Sequence, residues 1–490
     1  MMRGIKFDFN NMFSSAVGKK DGVSEADIHA MGNAVDKADR HLKNILSDSR
    51  KRVSLNLEWA NLPFQDKAAL AFIQKLGKEI AAKYDNVISL GIGGSYLGLK
   101  AAQDALAGAY YNEFPSVRFG RPRIYFEGNN LDPDTLGTLL ENLNPRETAI
   151  IVISKSGETT ETKAAFDIVE HWLKKSCGRH YGRQIIAITD PGSGTLRKKV
   201  NAESTRDPLS FRSLPLLKGV GGRFSELNMG LLHLAILGIN LKEVLGGAAQ
   251  MAKRCSYSSV FENPAYMYAV LHTILYQKKG KPITVLMPFS EGLKSTADWY
   301  VQLLAESTGK KYARKIKIEG GKEKWESDRG SIVHVGRTPV PSRGTSDLHS
   351  IQQNNIEGEN DKVITFIRVE RFRKDIKISE TGDFLSGKRY SQLITTAEEA
   401  TEWALVKEAR PNCTIIMPAI TPYYWGELIF FFQMATAFEG ELLNINAFDQ
   451  PGVESYKNYM YYKLRKPGLS SQIAAEIKKY PLVKKSKYII

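Results

Sequence analysis

Ser154-Lys-Ser-Gly-Glu-Thr159 places three hydroxyls, a lysine and a glycine within six residues, directly after the apolar run Ile150–Ile153. Gly91-Ile-Gly-Gly-Ser95 follows Val87–Leu90 in the same way. A strand that breaks into small hydroxylated residues where a helix should begin aims backbone N–H groups and the positive helix pole at one point, and hydroxyls add donors there. Two such turns make a cup that holds a phosphate with few lysines. Nucleotide motifs fit less well. Tyr96 stands where GxGxxG needs its third glycine, and Leu99 displaces the lysine of a Walker A loop whose glycine spacing Gly93 and Gly98 satisfy. A turn shaped only for strand-to-helix packing explains either motif alone. The second cup, with three hydroxyls in one turn, points to an anion.

Four further residues have the chemistry to act on a bound molecule. Glu306 ends a helix predicted over Thr296–Glu306, with Gly309 as its stop and Gln302 one turn earlier on the same face. A carboxylate there meets the negative helix pole, a setting that favours proton acceptance. Arg223 stands among Gly219, Gly221 and Gly222, whose lack of side chains lets a ligand approach the guanidinium and backbone closely. His349 lies in the polar loop Gly344-Thr-Ser-Asp-Leu-His-Ser350, and Lys457 in Phe448-Asp-Gln-Pro-Gly-Val-Glu-Ser-Tyr-Lys457. Taken singly, these read equally as a solvated helix-end glutamate, a loop histidine and a helix-surface lysine. The eight histidines include no HExxH or metal-spaced pair, so no protein-bound metal is expected.

The elements that must position these groups are α/β in rhythm. Apolar runs at Val87–Leu90, Ile124–Phe126, Ile150–Ile153 and Ile185–Ile188 alternate with helix-length segments. In the predicted helix Thr160–Lys175, Ala165, Phe166, Val169, Trp172 and Leu173 form one stripe. Such βαβ units build a parallel sheet covered on both faces, with ligands outside the carboxyl ends of its strands, where both cup motifs fall. Residues 1–65 read as helices and loops. After Gly246 the pattern restarts: strands are predicted at Pro282–Met287, Val363–Val369 and Thr414–Met417, and a helix at Leu428–Ala437. The expected organisation is an N-terminal helical segment over 1–65, a phosphate-cup domain over 66–245, a second domain over 246–460 carrying Glu306, and a basic arm over 461–490. An internal duplication fits this plan, though no residue identity between the halves supports it.

The totals exclude several classes. Cys177, Cys255 and Cys413 are far apart, which argues against a disulfide framework or a structural zinc site and fits a reducing compartment. The start, MMRGIKFDFNNMF, has no apolar core of a leader peptide, and no run approaches the ~20 apolar residues of a membrane helix. A cytoplasmic protein without membrane contact is expected. The net charge of +15 raises nucleic acid as a partner, and between Lys463 and Lys487 eight cations face Glu476 alone. No nucleic-acid module accompanies them, so the basic face reads as solvated, and its field favours encounter with anionic substrates.

Together GIGGS, SKSGETTET, GVGGRFS, QLLAESTGK, GTSDLHS and FDQPGVESYK resemble the glucose-6-phosphate isomerase family in content, order and separation, over roughly residues 55–465. The resemblance implies two sugar-isomerase-type α/β/α sandwich domains with parallel sheets, a C-terminal helical arm, a homodimer, and no cofactor. It implies that Ser95, Ser154, Ser156 and Thr159 bind the phosphate, with Gly94 and Lys155 beside them, and that Glu306 moves a proton between C2 and C1. Arg223 would stabilise the enediolate, Gln302 would contact the sugar, and His349, from the neighbouring subunit, would assist ring opening with Lys457. Gly157 and Glu158 stand where vertebrate members have bulkier or uncharged residues, which brings the chain nearer bacterial forms. Two rivals share the scaffold: an isomerase preferring another aldose 6-phosphate, and a phosphosugar-binding regulator without chemistry. The latter is expected to have lost its base or arginine, and Glu306 and Arg223 are both present.

Overall fold

A computed structural model describes residues 4–490; the first three residues of the start read as lacking a leader lie outside it. The chain divides into one compact unit ending at Ala447 and a second covering Phe448–Ile490.

Two five-stranded sheets organise the first unit. The first is wholly parallel, in the order β3-β2-β4-β5-β6, where β2 is Asn86–Leu90, β3 Arg123–Glu127, β4 Thr148–Ile153, β5 Ile185–Thr189 and β6 Arg212–Pro215. Every residue of β2, β4 and β5 is buried. That is why they read as unbroken apolar runs: helices cover both faces. The helix Thr160–Cys177 lays Ala165, Phe166, Val169 and Leu173 on this sheet against Ile88, Ile150 and Val152, with Trp172 at the margin.

The second sheet runs β1-β12-β11-β7-β10, with β7 at Ile283–Pro288, β10 at Thr338–Pro341, β11 at Lys362–Arg371 and β12 at Asn412–Ala419. These four are parallel. The edge strand β1, Lys6–Asp8, pairs antiparallel with β12, so the largely helical N-terminal segment also contributes a strand. Counted along the chain, the two sheets share one order for their first four parallel strands, 2-1-3-4, as β3-β2-β4-β5 and β10-β7-β11-β12; the fifth strand differs, being parallel β6 in one and antiparallel β1 in the other. Between β7 and β10 in sequence, β8 (Lys310–Glu319) and β9 (Lys322–Val335) form a hairpin. Its two-residue turn, Gly320-Gly321, has φ of 56° and 74°, the mirror-image turn geometry that glycine adopts without strain.

Behind the site lies the helix Pro422–Leu442, opened by proline at its first turn and capped by the Thr421 hydroxyl, which accepts from the Tyr424 N–H at 3.3 Å. Its residues from Tyr424 to Gly440 are all buried, which requires packing on every side. In the second unit, helices Glu454–Lys463 and Ser471–Lys479 are followed by a single 3-10 turn at Ser486–Tyr488. No described helix is long and apolar enough to cross a membrane.

Candidate active site

The two cup motifs leave adjacent parallel strands at neighbouring carboxyl ends, since Leu90 of β2 is in register with Val152 of β4. Gly93–Ser95 form one 3-10 turn before the helix Leu97–Leu106, and Thr159 precedes the helix that begins at Thr160 without using its hydroxyl as a cap. The Ser154–Thr159 loop is tied down from within and from the side. Ser154 Oγ accepts from the Gly157 N–H at 3.0 Å, and Ser156 Oγ accepts from the Glu158 N–H at 3.1 Å. Thr189 Oγ1 donates to the Ser154 carbonyl at 2.7 Å, and the Thr195 N–H donates to the Ser156 carbonyl at 2.8 Å. Lys155 and Ser156 stay exposed. The result is a fixed concavity lined by hydroxyls and helix N-termini, a setting for an anion.

Glu306 and Arg223 meet beside this cup. The helix carrying Glu306 spans Lys294–Thr308, so Glu306 lies in its last turn and is not its final residue. Gly309 does cap that helix, but with φ of −70° and not in the left-handed conformation. Its value is close approach: a Cβ on Gly336 would sit 2.7 Å from the Gly309 Cα. Arg223, on a 3-10 turn at Gly222–Phe224, is 3% exposed. Its Nη1 donates to Glu306 Oε2 at 3.2 Å, its Nε to Ser307 Oγ at 2.8 Å, and its Nη2 to the Ala447 carbonyl at 2.6 Å. Gln302 Nε2 donates to Glu306 Oε1 at 3.1 Å, while Gln302 Oε1 is buried without a hydrogen-bond partner among the described residues. Lys310 Nζ donates to the Glu306 carbonyl at 2.5 Å, satisfying the end of the helix.

The pair is joined to the cup through glycines. A Cβ on Gly94 would lie 2.1 Å from the carbonyl carbon of Gly222, so the first phosphate turn and the Arg223 turn touch backbone to backbone. A Cβ on Gly93 would lie 2.9 Å from Gln302 Nε2. Gly93, Gly94, Arg223, Gln302 and Glu306 thus form one continuous set of contacts at the carboxyl end of β2.

The His349 imidazole is exposed on the 3-10 turn Ser346–His349 and makes no hydrogen bond among the described residues. Lys457 belongs to the second unit, where its Nζ pairs with Glu454 Oε1 at 3.1 Å. Among the described residues, no three or more His, Cys, Asp or Glu side chains gather as a metal ion would need. The sequence reading missed Thr189, Thr195, Ser307 and the Ala447 carbonyl. Ser307 adjoins Glu306 and was open to notice; the others act from distant strands or through backbone, which leaves no residue signature.

Comparison with known proteins fits this geometry. Residues 74–475 match the family model described as Phosphoglucose isomerase. The chain is 38% identical over 486 residues to the glucose-6-phosphate isomerase of Carboxydothermus hydrogenoformans, covering 97% of this chain and 98% of that one. It is 37% identical to the enzyme of that name from Symbiobacterium thermophilum, covering 85% and 88%. Among solved structures, a hypothetical protein from Thermus thermophilus superposes with a TM-score of 0.79 at 29% identity, covering 94% and 99%. A glucose-6-phosphate isomerase from Chlamydia trachomatis, at 22% identity and a TM-score of 0.72 over 94% and 90%, shares the fold. With a family model spanning most of its length and relatives aligned nearly end to end, the chain belongs to the phosphoglucose isomerase family.

Proposed function

We propose that this chain interconverts glucose 6-phosphate and fructose 6-phosphate, the reaction named for its relatives. The observation that carries the reading is the Arg223–Glu306 contact of 3.2 Å beside the two phosphate turns. Ser95, Ser154, Ser156 and Thr159, with Gly94 and Lys155 beside them, hold the phosphate. Glu306 removes the proton from C2 of the open-chain aldose, and the electron pair forms the C1=C2 double bond of an enediolate. The same carboxyl returns the proton to C1, while the C2 hydroxyl proton passes to the C1 oxygen, leaving a ketone at C2 and a hydroxyl at C1. Arg223 stabilises the negative oxygen that develops, and it does so without reorganisation because Ser307 and Ala447 already fix its guanidinium. Gln302 Oε1, without a hydrogen-bond partner among the described residues, is available to accept from a sugar hydroxyl. His349 and Lys457 assist opening of the pyranose ring, His349 from the neighbouring subunit of a homodimer. The 66–245 region supplies the anchor and the 246–460 region the base. Since the proton leaves and returns, the cycle closes without a metal or a redox cofactor.

A coupled assay of fructose 6-phosphate conversion on Glu306→Gln tests this. Loss of a general base lowers turnover by ~10²–10⁴, with the melting temperature kept near that of the parent. Near-parent turnover would sink the reading.

A further inference from the structure

Glu226 is the first residue of the helix Glu226–Ile236 and lies three positions after Arg223. At 1% exposure it is one of the most deeply buried charged side chains in the molecule. Three other helices meet it. Trp299 Nε1, on the Glu306 helix, donates to its Oε1 at 2.7 Å. Gln433 Nε2, on the central helix Pro422–Leu442, donates to its Oε2 at 2.7 Å. Gly98, in the helix that follows the first phosphate turn, leaves room for it: a Cβ there would sit 2.3 Å from Glu226 Cγ. A buried carboxyl is costly unless its neighbours satisfy it, and an apolar side chain of similar size would fill the same space more cheaply.

We propose that Glu226 is a positioning residue for the isomerisation: it fastens the Arg223 turn, the Glu306 helix and the helix behind the phosphate turn to one another, and so sets the placement of the guanidinium against the base. This rests on the reading that Arg223 and Glu306 do the chemistry. Glu226 touches neither of them and faces no substrate; it acts through the two elements that carry them. Trp299 stands two helical turns before Glu306 on the same helix, so the Trp299–Glu226 bond fixes that helix relative to the turn three residues upstream of Glu226. Burial pushes the Glu226 carboxyl up to about 8, so the neutral acid prevails at pH 7. Gln433 Oε1 is buried beside it without a hydrogen-bond partner among the described residues. The Gln433 amide can therefore turn to accept a proton from the neutral acid, or from the amide introduced by Glu226→Gln.

The test compares steady-state kinetics of Glu226→Gln and Glu226→Leu on fructose 6-phosphate, with Glu306→Gln assayed alongside. A positioning role predicts that Glu226→Leu lowers kcat about tenfold or more with KM within about twofold, because the disturbed interaction is made in the transition state. Glu226→Gln, which keeps both shape and hydrogen bonding, should restore kcat to within about threefold of the parent. Parent-like kcat in a folded Glu226→Leu protein overturns the proposal. So does a fall in stability without any kcat change, which marks a purely structural group. Should Glu226→Leu fail to fold, Trp299→Phe, which removes one donor and keeps an aromatic ring, decides: a lowered kcat at constant KM supports the proposal and parent kinetics overturn it. An active Glu306→Gln protein would instead reject the catalytic reading itself, whatever the Glu226 variants do.

Discussion

Arg223 is fixed before any substrate arrives, and that distinguishes it from a surface arginine drawn to a phosphate. Its planar fork reaches a hydroxyl, a backbone carbonyl and the Glu306 carboxylate from a position 3% exposed. A lysine offers a point charge and cannot satisfy all three. Glu306, by contrast, keeps 29% of its side chain accessible, which leaves it free to meet a sugar carbon. Replacement of Arg223 by methionine should therefore lower kcat by ~10²–10³, about 2.7–4 kcal/mol of transition-state stabilisation, with KM little changed. Steady-state kinetics on both sugar phosphates check this. A raised KM at constant kcat would reassign Arg223 to phosphate binding. The sequence exposes Arg223 and Glu306 because glycines surround one and a helix end holds the other. It hides the partners that make Arg223 rigid, since Ser307 and Ala447 lie 84 and 224 positions away. Glu226 escapes for another reason: read along the chain, it is an ordinary charged residue at a helix start.

At the scale of elements, the site depends on how closely two turns from different parts of the chain approach. Gly94 and Gly222 bring backbone against backbone, and no side chain fits between them. Gly94→Ala forces its new methyl into the Gly222 carbonyl, so the turns separate or the backbone shifts, at a cost of about 1–3 kcal/mol. Chemical denaturation should show that loss, and kcat should fall with it because the Arg223 turn is displaced. Gly137→Ala is the control. Its Cβ meets nothing within 4 Å in the helix Pro133–Asn142, so a gain of roughly 0.5–1 kcal/mol is expected with activity unchanged. Equal behaviour of the two variants would mean that the turn contact does not matter. The strands that carry the cup were legible because double-sided burial leaves unbroken apolar runs, as in β4. So were β7, β11 and β12 of the second sheet, whereas β1, β8, β9 and β10, at an edge or open to solvent, were not. β10 contains two prolines in four residues, tolerable at the sheet edge where it lies, and β8 and β9 alternate charged residues in a hairpin largely open to solvent. The three-residue β1 is too short for periodicity to register and exists only because β12 offers it an edge.

At the scale of the whole molecule, the role proposed for His349 concerns the dimer. Its ring is exposed, and no hydrogen bond among the described residues orients it toward Arg223, Gln302 or Glu306. An imidazole that opens a sugar ring must be held within reach of the ring oxygen, so a histidine left unheld by its own chain is expected to act at a surface that a second copy covers. In a two-fold dimer such a donation is reciprocal, and each site is built from both chains. Complementation follows from that arrangement. Glu306→Gln and His349→Ala proteins are each expected to be strongly impaired. When they are unfolded together and refolded as a mixture, half of the dimers combine one chain of each kind. In those dimers one site pairs the intact Glu306 of the His349→Ala chain with the intact His349 of the other, so activity should return to about a quarter of the parent level. The companion site carries both lesions and stays silent. Mixing without refolding should restore nothing unless subunits exchange, and a mass measurement on differently tagged chains verifies that mixed dimers formed. If mixed dimers form and activity stays at the level of the separate variants, each His349 serves its own chain, and the dimer is not required to complete the site.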